Sequence, residues 1–366
     1  MRIGVDATPL LGARTGVGWY THELIGAVAD QAPGDRLALL PISWRAARRP
    51  LDAPSRPNVS VVRLPLPARP LWALWDRTGF PPVEWLVRCD VFHATNFVAP
   101  PSRRVPMVVT VHDVGFLHHP ETVSPAVRRM AALLPGVLRR AAAIIAVSGF
   151  TREELAGWLP EVTSKVTVVH NGSHARVAPT GAARAAAGAP YVLMLGTLEP
   201  RKNVPLALDA LAILRARKVD LRLVLAGGSS PLLDVPALLR DRNLGEPEVT
   251  CTGYVDDGRA SELLAGARVV AFPSLYEGFG MPLVEAMEAG VPVVGVRAGA
   301  TPETVGDAGL LVEPGDAEGF ADALERAAFD EGTRADLIAA GHAQAQRFSW
   351  AKAGAATLAV YRQVSA

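Results

Sequence analysis

Two glutamates, Glu277 and Glu285, stand eight positions apart in EGFGMPLVE, around two glycines and a proline. Eight positions along one helix would set both acids on a single solvated face. Gly278 and Gly280 oppose helix, and Pro282 fits a first helical position, where its missing N–H leaves nothing unsatisfied. The stretch therefore predicts a loop carrying Glu277, then a helix from Pro282 to Ala289 ended by a left-handed Gly290. One acid belongs to the loop and the other to the first turns of the helix. The helix N-terminus between them is a place for an anion.

Other segments carry chemistry of a matching kind. GTLEPRKNV (196–204) sets Arg201 and Lys202 immediately before a helix that Asn203 is placed to cap. A forked donor and a point charge side by side suit a diphosphate, and a solvated basic pair is the competing reading. VHD places His112 and Asp113 after an apolar run, and FHATNF places His93 and Asn96 at the end of another. A histidine at a strand end serves either structure or catalysis. RTGVGWY puts Gly16 and Gly18 just before a helix, where backbone N–H groups approach a phosphate or sugar closely, or simply form a tight turn. The third glycine of the dinucleotide fingerprint is missing, and no acid closes the following strand in the expected place.

Such residues need a frame that gathers loop ends. RIGVDA (2–7), RLALLPI (36–42), VSVVRL (59–64), DVFHAT (90–95), VPMVVTVHD (105–113), AAIIAVS (142–148) and KVTVVHNG (165–172) read as strands. YVLMLGT (191–197), LRLVLAGG (221–228), VTCTGYV (249–255), ARVVAFPS (267–274), VPVVGVRA (291–298) and GLLVEPG (309–315) form a second series. Several are apolar without alternation, as in a parallel sheet covered on both faces. Helical patterns lie between them, so the class is α/β. Residues 173–189 are small, polar and punctuated by proline and glycine, and separate the two series. The expectation is two Rossmann-like domains with parallel sheets facing across a cleft, and ligands beyond the carboxyl ends of the strands. FSWAKAGAATLAVYRQV reads as a final helix opened by Ser349.

Composition sets outer bounds. A chain of 366 residues exceeds one ordinary core, which again favours two domains. No apolar run approaches the roughly 18 residues that span a bilayer. The opening MRIGVDATPL reads as a buried strand and lacks the regions of a signal peptide. The two cysteines, Cys89 and Cys251, are far apart, which gives no disulfide framework or metal spacing and fits a reducing cytoplasm. Net charge is +1, yet residues 1–180 carry 20 Lys and Arg against 13 Asp and Glu, and the remainder 17 against 23. A basic half of this kind is suited to an anionic partner.

The whole chain resembles the family 4 retaining glycosyltransferases of GT-B fold. The likeness runs in order through VDATPLLGARTGVGWYTHEL, FHATNFVAPP, TVHDVGFLHHPE, AVSGFTREEL, VVHNG, GTLEPRKN, LAGG, GYV, PSLYEGFGMPLVEAMEAGVPVV and TPETVGDAGLLVEPGD. EGFGMPLVE matches that family's Glu-x7-Glu motif, and the first segments look most like the mannosyltransferase-B type. The resemblance implies a hexosyl transfer from a nucleotide sugar, GDP-mannose foremost, to a glycan or lipid-linked acceptor in polysaccharide biosynthesis. It implies residues 1–175 as acceptor domain, 176–189 as linker, 190–348 as nucleotide-sugar domain and 349–366 as a helix crossing back to the first domain. Glu277 would bind hydroxyls of the donor sugar and Glu285 the ribose diol. Arg201 and Lys202 would hold the departing diphosphate. His112 would contact the donor sugar near the reaction centre. Gly16 and Gly18 would line the cleft, and Gly196 belongs to the loop before the cations. Backbone at Phe279, Gly280 and Met281, with Pro282 and Leu283 following, would face sugar and phosphates, and Gly253, Tyr254 and Val255 would border the base.

The pattern has departures and rivals. The interdomain motif, which usually continues Asn-Gly with a hydrophobic residue and an acid, is Asn171-Gly172-Ser173-His174 here. No Asp-x-Asp is present, so cations and a helix dipole stand in for a metal, and no cofactor is expected. Asp113 is the nearest motif carboxylate for a double displacement, and the resemblance favours attack from the face of the leaving phosphate. A sugar-nucleotide epimerase or a non-catalytic binding protein of the same fold is the alternative. Nucleic acid is not an expected partner.

The basic surplus raises one further expectation. Arg45, Arg48 and Arg49 form a cluster, as do Arg103 and Arg104, and Arg128, Arg129, Arg139 and Arg140 flank a helical stretch interrupted at Pro135. Beside them Trp72, Trp75 and Phe80 lie in a proline-rich segment without strand period. Loosely held aromatics among cations suit an anionic membrane surface, here the inner face of the cytoplasmic membrane, or the diphosphate of a lipid-linked acceptor. The competing reading buries the tryptophans in the core.

Overall fold

The computed structural model describes the chain except residues 13–15, 45–50, 119, 121, 122, 124 and 174–188 and the side chains of 69, 125 and 126. The cluster of Arg45, Arg48 and Arg49 and the linker to residue 188 lie outside the described residues. The chain divides into two units, Met1–Gly172 with Ser349–Ala366, and Ser173–Phe348.

In the first unit the strands are β1 (Arg2–Asp6), β2 (Arg36–Leu40), β3 (Val59–Val61), β4 (Val91–Ala94), β5 (Met107–Val111), β6 (Ala143–Ala146) and β7 (Val166–Val168). They form a parallel sheet in the order β3-β2-β1-β4-β5-β6-β7. Every residue of β4, β5 and β6 is buried, which is why these segments read as unbroken apolar runs. The helices are α1 (Gly16–Gln31), α2 (Ala68–Thr78), α3 (Gly115–His118), α4 (Pro125–Arg140) and α5 (Gly149–Trp158).

In the second unit β8 (Tyr191–Leu195), β9 (Arg222–Ala226), β10 (Val249–Gly253), β11 (Val269–Phe272), β12 (Val293–Val296) and β13 (Gly309–Val312) lie in the order β10-β9-β8-β11-β12-β13. Its helices are α6 (Val204–Ala216), α7 (Val235–Asp241), α8 (Asp257–Gly266), α9 (Met281–Glu288), α10 (Thr301–Val305), α11 (Ala317–Phe329) and α12 (Glu331–Ala345). Leu208, Leu211, Leu225, Phe320 and Leu324 centre a core between α6, α11 and the sheet. Both sheets are doubly wound, and each reverses its strand order once, between β1 and β4 and between β8 and β11. Loops diverge at those points and leave a crevice beyond the carboxyl ends of the strands.

The last helix, α13 (Trp350–Ser365), belongs to the first unit and packs on α1. Ser349 caps it by accepting from the Lys352 N–H, and Leu358, Val360 and Tyr361 are buried.

Two local expectations are corrected. The tryptophans lie on a regular helix, α2, and Trp75 is buried with its Nε1–H donating to the Pro81 carbonyl at 2.7 Å. Only Trp72, half-buried, and Phe80, at 37 % exposure, remain at the surface. Pro135 does not interrupt α4, which runs unbroken through it. An interior proline costs about 3 kcal/mol, and burial of Leu134, Val137 and Leu138 around it offsets that.

Candidate functional site

In the second unit the cations and the loop glutamate meet at the strand reversal. Arg201 and Lys202 lie in a 3₁₀ turn, Pro200–Lys202, after β8, and Glu277 lies in the loop after β11. The two loops are joined by a bond from the Leu275 N–H to the Arg201 carbonyl at 2.8 Å. Arg201 reaches Glu277 Oε1 at 2.8 Å and Glu199 at 2.7 Å, and its Nη1 also donates to the Tyr276 carbonyl at 3.1 Å. Lys202 Nζ lies 2.5 Å from the same Oε1 and 4.9 Å above the centre of the Phe272 ring. Oε1 is thus buried between two cations in ionic contacts rather than aligned hydrogen bonds. Among the described residues no hydrogen bond from the protein reaches Oε2. Burial raises the pKa of this carboxyl, but Lys202 and then Arg201 more than offset it and hold it at about 2. Glu277 is therefore ionised and fixed between the two cations, which it holds side by side.

Tight backbone packing holds that loop. The Ala300 N–H donates to the Glu277 carbonyl at 2.9 Å, and a Cβ at Gly299, where φ is +57°, would fall 2.7 Å from Glu277 N. Gly280 precedes α9 at φ +87°, where a Cβ would press on Leu283 at 2.7 Å. The α9 N-terminus at Met281 and Pro282 thus directly follows the glutamate loop, and Gly290 follows the helix at φ +64°. Glu285 is buried on α9, and Phe279 is buried with its carbonyl accepting from Thr304 Oγ1 at 2.6 Å. Leu283 is fully buried. Gly196 directly follows β8 at φ +123°. Asn203 is corrected as a cap: it sits at φ +53° and its side chain makes no capping bond, so the helix start is set by the left-handed turn and by Pro205. Gly253, Tyr254 and Val255 lie at the carboxyl end of β10, at the sheet edge and two strands from β8, with Tyr254 fully open at 68 % exposure.

In the first unit His112 follows β5 at the carboxyl edge. Its Nε2 lies 2.8 Å from the Thr95 carbonyl. A carbonyl only accepts, so Nε2 carries the hydrogen and Nδ1 presents a lone pair in the neutral ring. Burial lowers its pKa more than the Thr95 carbonyl and Asp113 raise it. Tyr20 packs edge-on against the ring at 4.6 Å. Tyr20 Oη contacts Thr110 Oγ1 at 2.8 Å, Thr110 contacts His93 Nε2 at 2.7 Å, and His93 Nδ1 contacts Tyr361 Oη at 2.6 Å. His93 is fully buried in this chain, with its pKa pushed down by burial, and then by His112, to about 3. It supports His112 from within the core, while Asn96, past the end of β4, stays at the carboxyl edge. Gly16 and Gly18 form the first turn of α1 after β1, Gly16 exposed and Gly18 buried. Sequence reasoning missed Tyr20, Thr110 and Tyr361, whose partners are far along the chain, and Glu199, although GTLEPRK places it beside the cations.

Among the described residues no cluster of His, Cys, Asp and Glu is arranged to hold a metal ion, and no helix is long and apolar enough to cross a membrane.

Comparison with known proteins adds the family. Residues 14–176 match the model described as Glycosyltransferase Family 4, and residues 182–344 the one described as Glycosyl transferases group 1. The chain is 32 % identical to the O-antigen chain mannosyltransferase B of Escherichia coli, over 99 % of this chain and 100 % of that protein. In fold it is similar to a sucrose-phosphate synthase from Thermosynechococcus elongatus, with a TM-score of 0.77 at 22 % identity, covering 99 % of this chain and 98 % of that one. It is also similar to Anabaena Alr3699/HepE, solved with UDP and glucose, with a TM-score of 0.70 at 21 % identity over 100 % and 98 % of the two chains. The chain therefore belongs to the family 4 glycosyltransferases, of mannosyltransferase type and GT-B fold.

Proposed function

We propose that the protein transfers mannose from GDP-mannose, with retained anomeric configuration and without a divalent metal, to the glycan of a lipid-linked acceptor in polysaccharide biosynthesis. The full-length similarity to a mannosyltransferase carries the reading. The geometry of the second unit supports the chemistry. As the bond from sugar to phosphate breaks, charge grows on the leaving diphosphate. In this reading Arg201, Lys202 and the N-terminus of α9 neutralise it, the task otherwise given to a metal. Glu277 Oε2 accepts from donor sugar hydroxyls while Oε1 keeps both cations in register. Glu285 takes the ribose diol, with Gly196, Phe279, Gly280, Met281, Pro282 and Leu283 supplying backbone around sugar and phosphates, and Gly253, Tyr254 and Val255 bordering the base. His112 offers Nδ1 to a sugar hydroxyl, and Gly16 and Gly18 bring backbone close to the donor. The leaving phosphate acts as base on the acceptor hydroxyl, so the new bond forms on the face the old one leaves.

Peripheral attachment to the inner face of the cytoplasmic membrane completes the proposal. It is supported by Trp85, 67 % exposed, stacked edge-on with Phe80 at 4.9 Å. The neighbouring Glu84 accepts from the backbone N–H groups of Arg103 and Arg104 at 3.0 and 3.1 Å, which brings aromatics and cations to one place.

A donor panel tests the reading. Incubation with GDP-mannose, UDP-sugars and dTDP-rhamnose, with an acceptor glycan and a chelator, should give transfer from GDP-mannose alone, and NMR should show an α-linked product. Conversion of a donor without transfer would favour an epimerase, and rescue by magnesium or manganese after chelation would remove the metal-free chemistry.

A further inference from the structure

The core on one face of the first sheet is split. Leu134, Val137 and Leu138 belong to one buried cluster and Leu71, Trp75 and Met107 to another. Between α2 and α4 lies a groove of about 1630 Å³. Asp6 and Asn96, at the carboxyl ends of β1 and β4, line one end, on the edge that carries His112. Arg103, Arg104 and Arg140, which precede the amino ends of β5 and β6, line the other. β5 has five residues, so at about 3.3 Å per residue the ends are roughly 16 Å apart.

The two ends differ in chemistry. Elsewhere in this unit Arg2, Arg56 and Arg139 pair with Asp90, Asp30 and Glu161. Among the described residues no ion pair engages Arg103, Arg104 or Arg140, and the first two bond through their backbone to Glu84, the neighbour of the exposed Trp85. Along the groove lie the half-buried Trp72 and the Asp76 carboxylate, which has no hydrogen-bond partner among the described residues. Asn96 Oδ1 accepts from the Phe97 N–H at 2.8 Å, which leaves its Nδ2 donors for a ligand. Aromatic surface with separate donors and acceptors suits a chain of sugars, and the unpaired guanidinium groups suit a phosphate.

We propose that this groove holds a short oligosaccharide by its length, with the phosphate or diphosphate of its reducing end on Arg103, Arg104 and Arg140 and its far end at the His112 edge. The inference rests on the reading of the protein as a transferase acting on a lipid-linked glycan and specifies how that acceptor lies. It makes the enzyme an extender of existing chains, because a single sugar on a diphosphate does not span the groove.

Calorimetry without donor tests it, using three probes: mannotetraose bearing a C11 alkyl diphosphate, mannotetraose methyl glycoside, and C11 alkyl diphosphate alone. The first should bind tightest and weaken with salt. R103A/R104A/R140A should weaken it at least tenfold, to the level of the neutral glycoside, whose own affinity stays unchanged. R103K/R104K/R140K, which keeps the charge, should retain most of the binding. Trp72→Ala should weaken both glycans by a similar factor. Unchanged binding in the triple alanine variant overturns the anion end, and alkyl diphosphate binding as tightly as the glycan overturns the sugar groove. GDP affinity on the same samples reports the donor reading separately, so its failure leaves this test intact.

Discussion

One oxygen of Glu277 lies between two cations, and the arrangement has a measurable consequence. Its carboxyl is held at about 2 against an ordinary 4.5. A depressed acid contributes stability that is fully present above the unfolded value and is lost as pH falls through the folded one. At about 1.4 kcal/mol per pKa unit, Glu277→Gln should lower stability by on the order of 3 kcal/mol at pH 7, with the difference shrinking between pH 4.5 and 2. Asp6, pushed up to about 6 by burial against its bonds to Thr8, acts in the opposite sense but is common to both proteins. Urea unfolding of both at pH 7 and pH 3 reads the effect, and an equal gap at the two pH values would refute the ion-pair account. Glu285 is tested by binding alone: Glu285→Ala should weaken GDP by about 1.5–3 kcal/mol. Unchanged GDP affinity would remove Glu285 from the ribose.

Among the elements, the loop after β12 is as important to the site as the motif loop itself. A methyl group at Gly299 meets the Glu277 backbone at 2.7 Å, and its positive φ strains any other residue. Gly299→Ala should therefore lower kcat more than tenfold while touching no ligand, and should lower Tm by several degrees. A variant with normal turnover would show that the Glu277 loop tolerates displacement. In the first unit α13 plays the comparable part. Trp350 packs on Tyr20 at 6.0 Å and Tyr361 closes the buried chain through His93, so a helix from the far end of the sequence supports His112.

For the molecule as a whole, the uneven charge is the property with a consequence. The arginine surplus of residues 1–180 and the exposed Trp85 and Phe80 predict binding to anionic vesicles, with about 1 kcal/mol from each cation at the surface. Co-sedimentation should show binding to phosphatidylglycerol vesicles in 50 mM salt, loss of most of it in 500 mM, and little binding to phosphatidylcholine. Equal failure with both lipids, or binding indifferent to salt, would leave a soluble acceptor as the better account.

The sequence by itself determined what depends on neighbours along the chain. Apolar runs and helical periods are local, so the two parallel sheets and the class of fold were legible. Glycine and proline chemistry is local too, so the loop of Glu277 and the start of α9 could be placed to within a residue. Pattern reading failed where a long-range contact outweighed local preference. Core packing carried α4 through Pro135 and buried Trp75, and the left-handed turn at Asn203 replaced a side-chain cap. Tertiary structure alone decided that Arg201 and Lys202 share one oxygen of a glutamate some 75 residues on, because strand order, not sequence distance, sets which loops meet. It also separated two histidines that look alike in sequence. His93 lies within β4 and turns into a dry polar chain, whereas His112 lies one residue beyond β5 and its Nδ1 has no partner among the described residues.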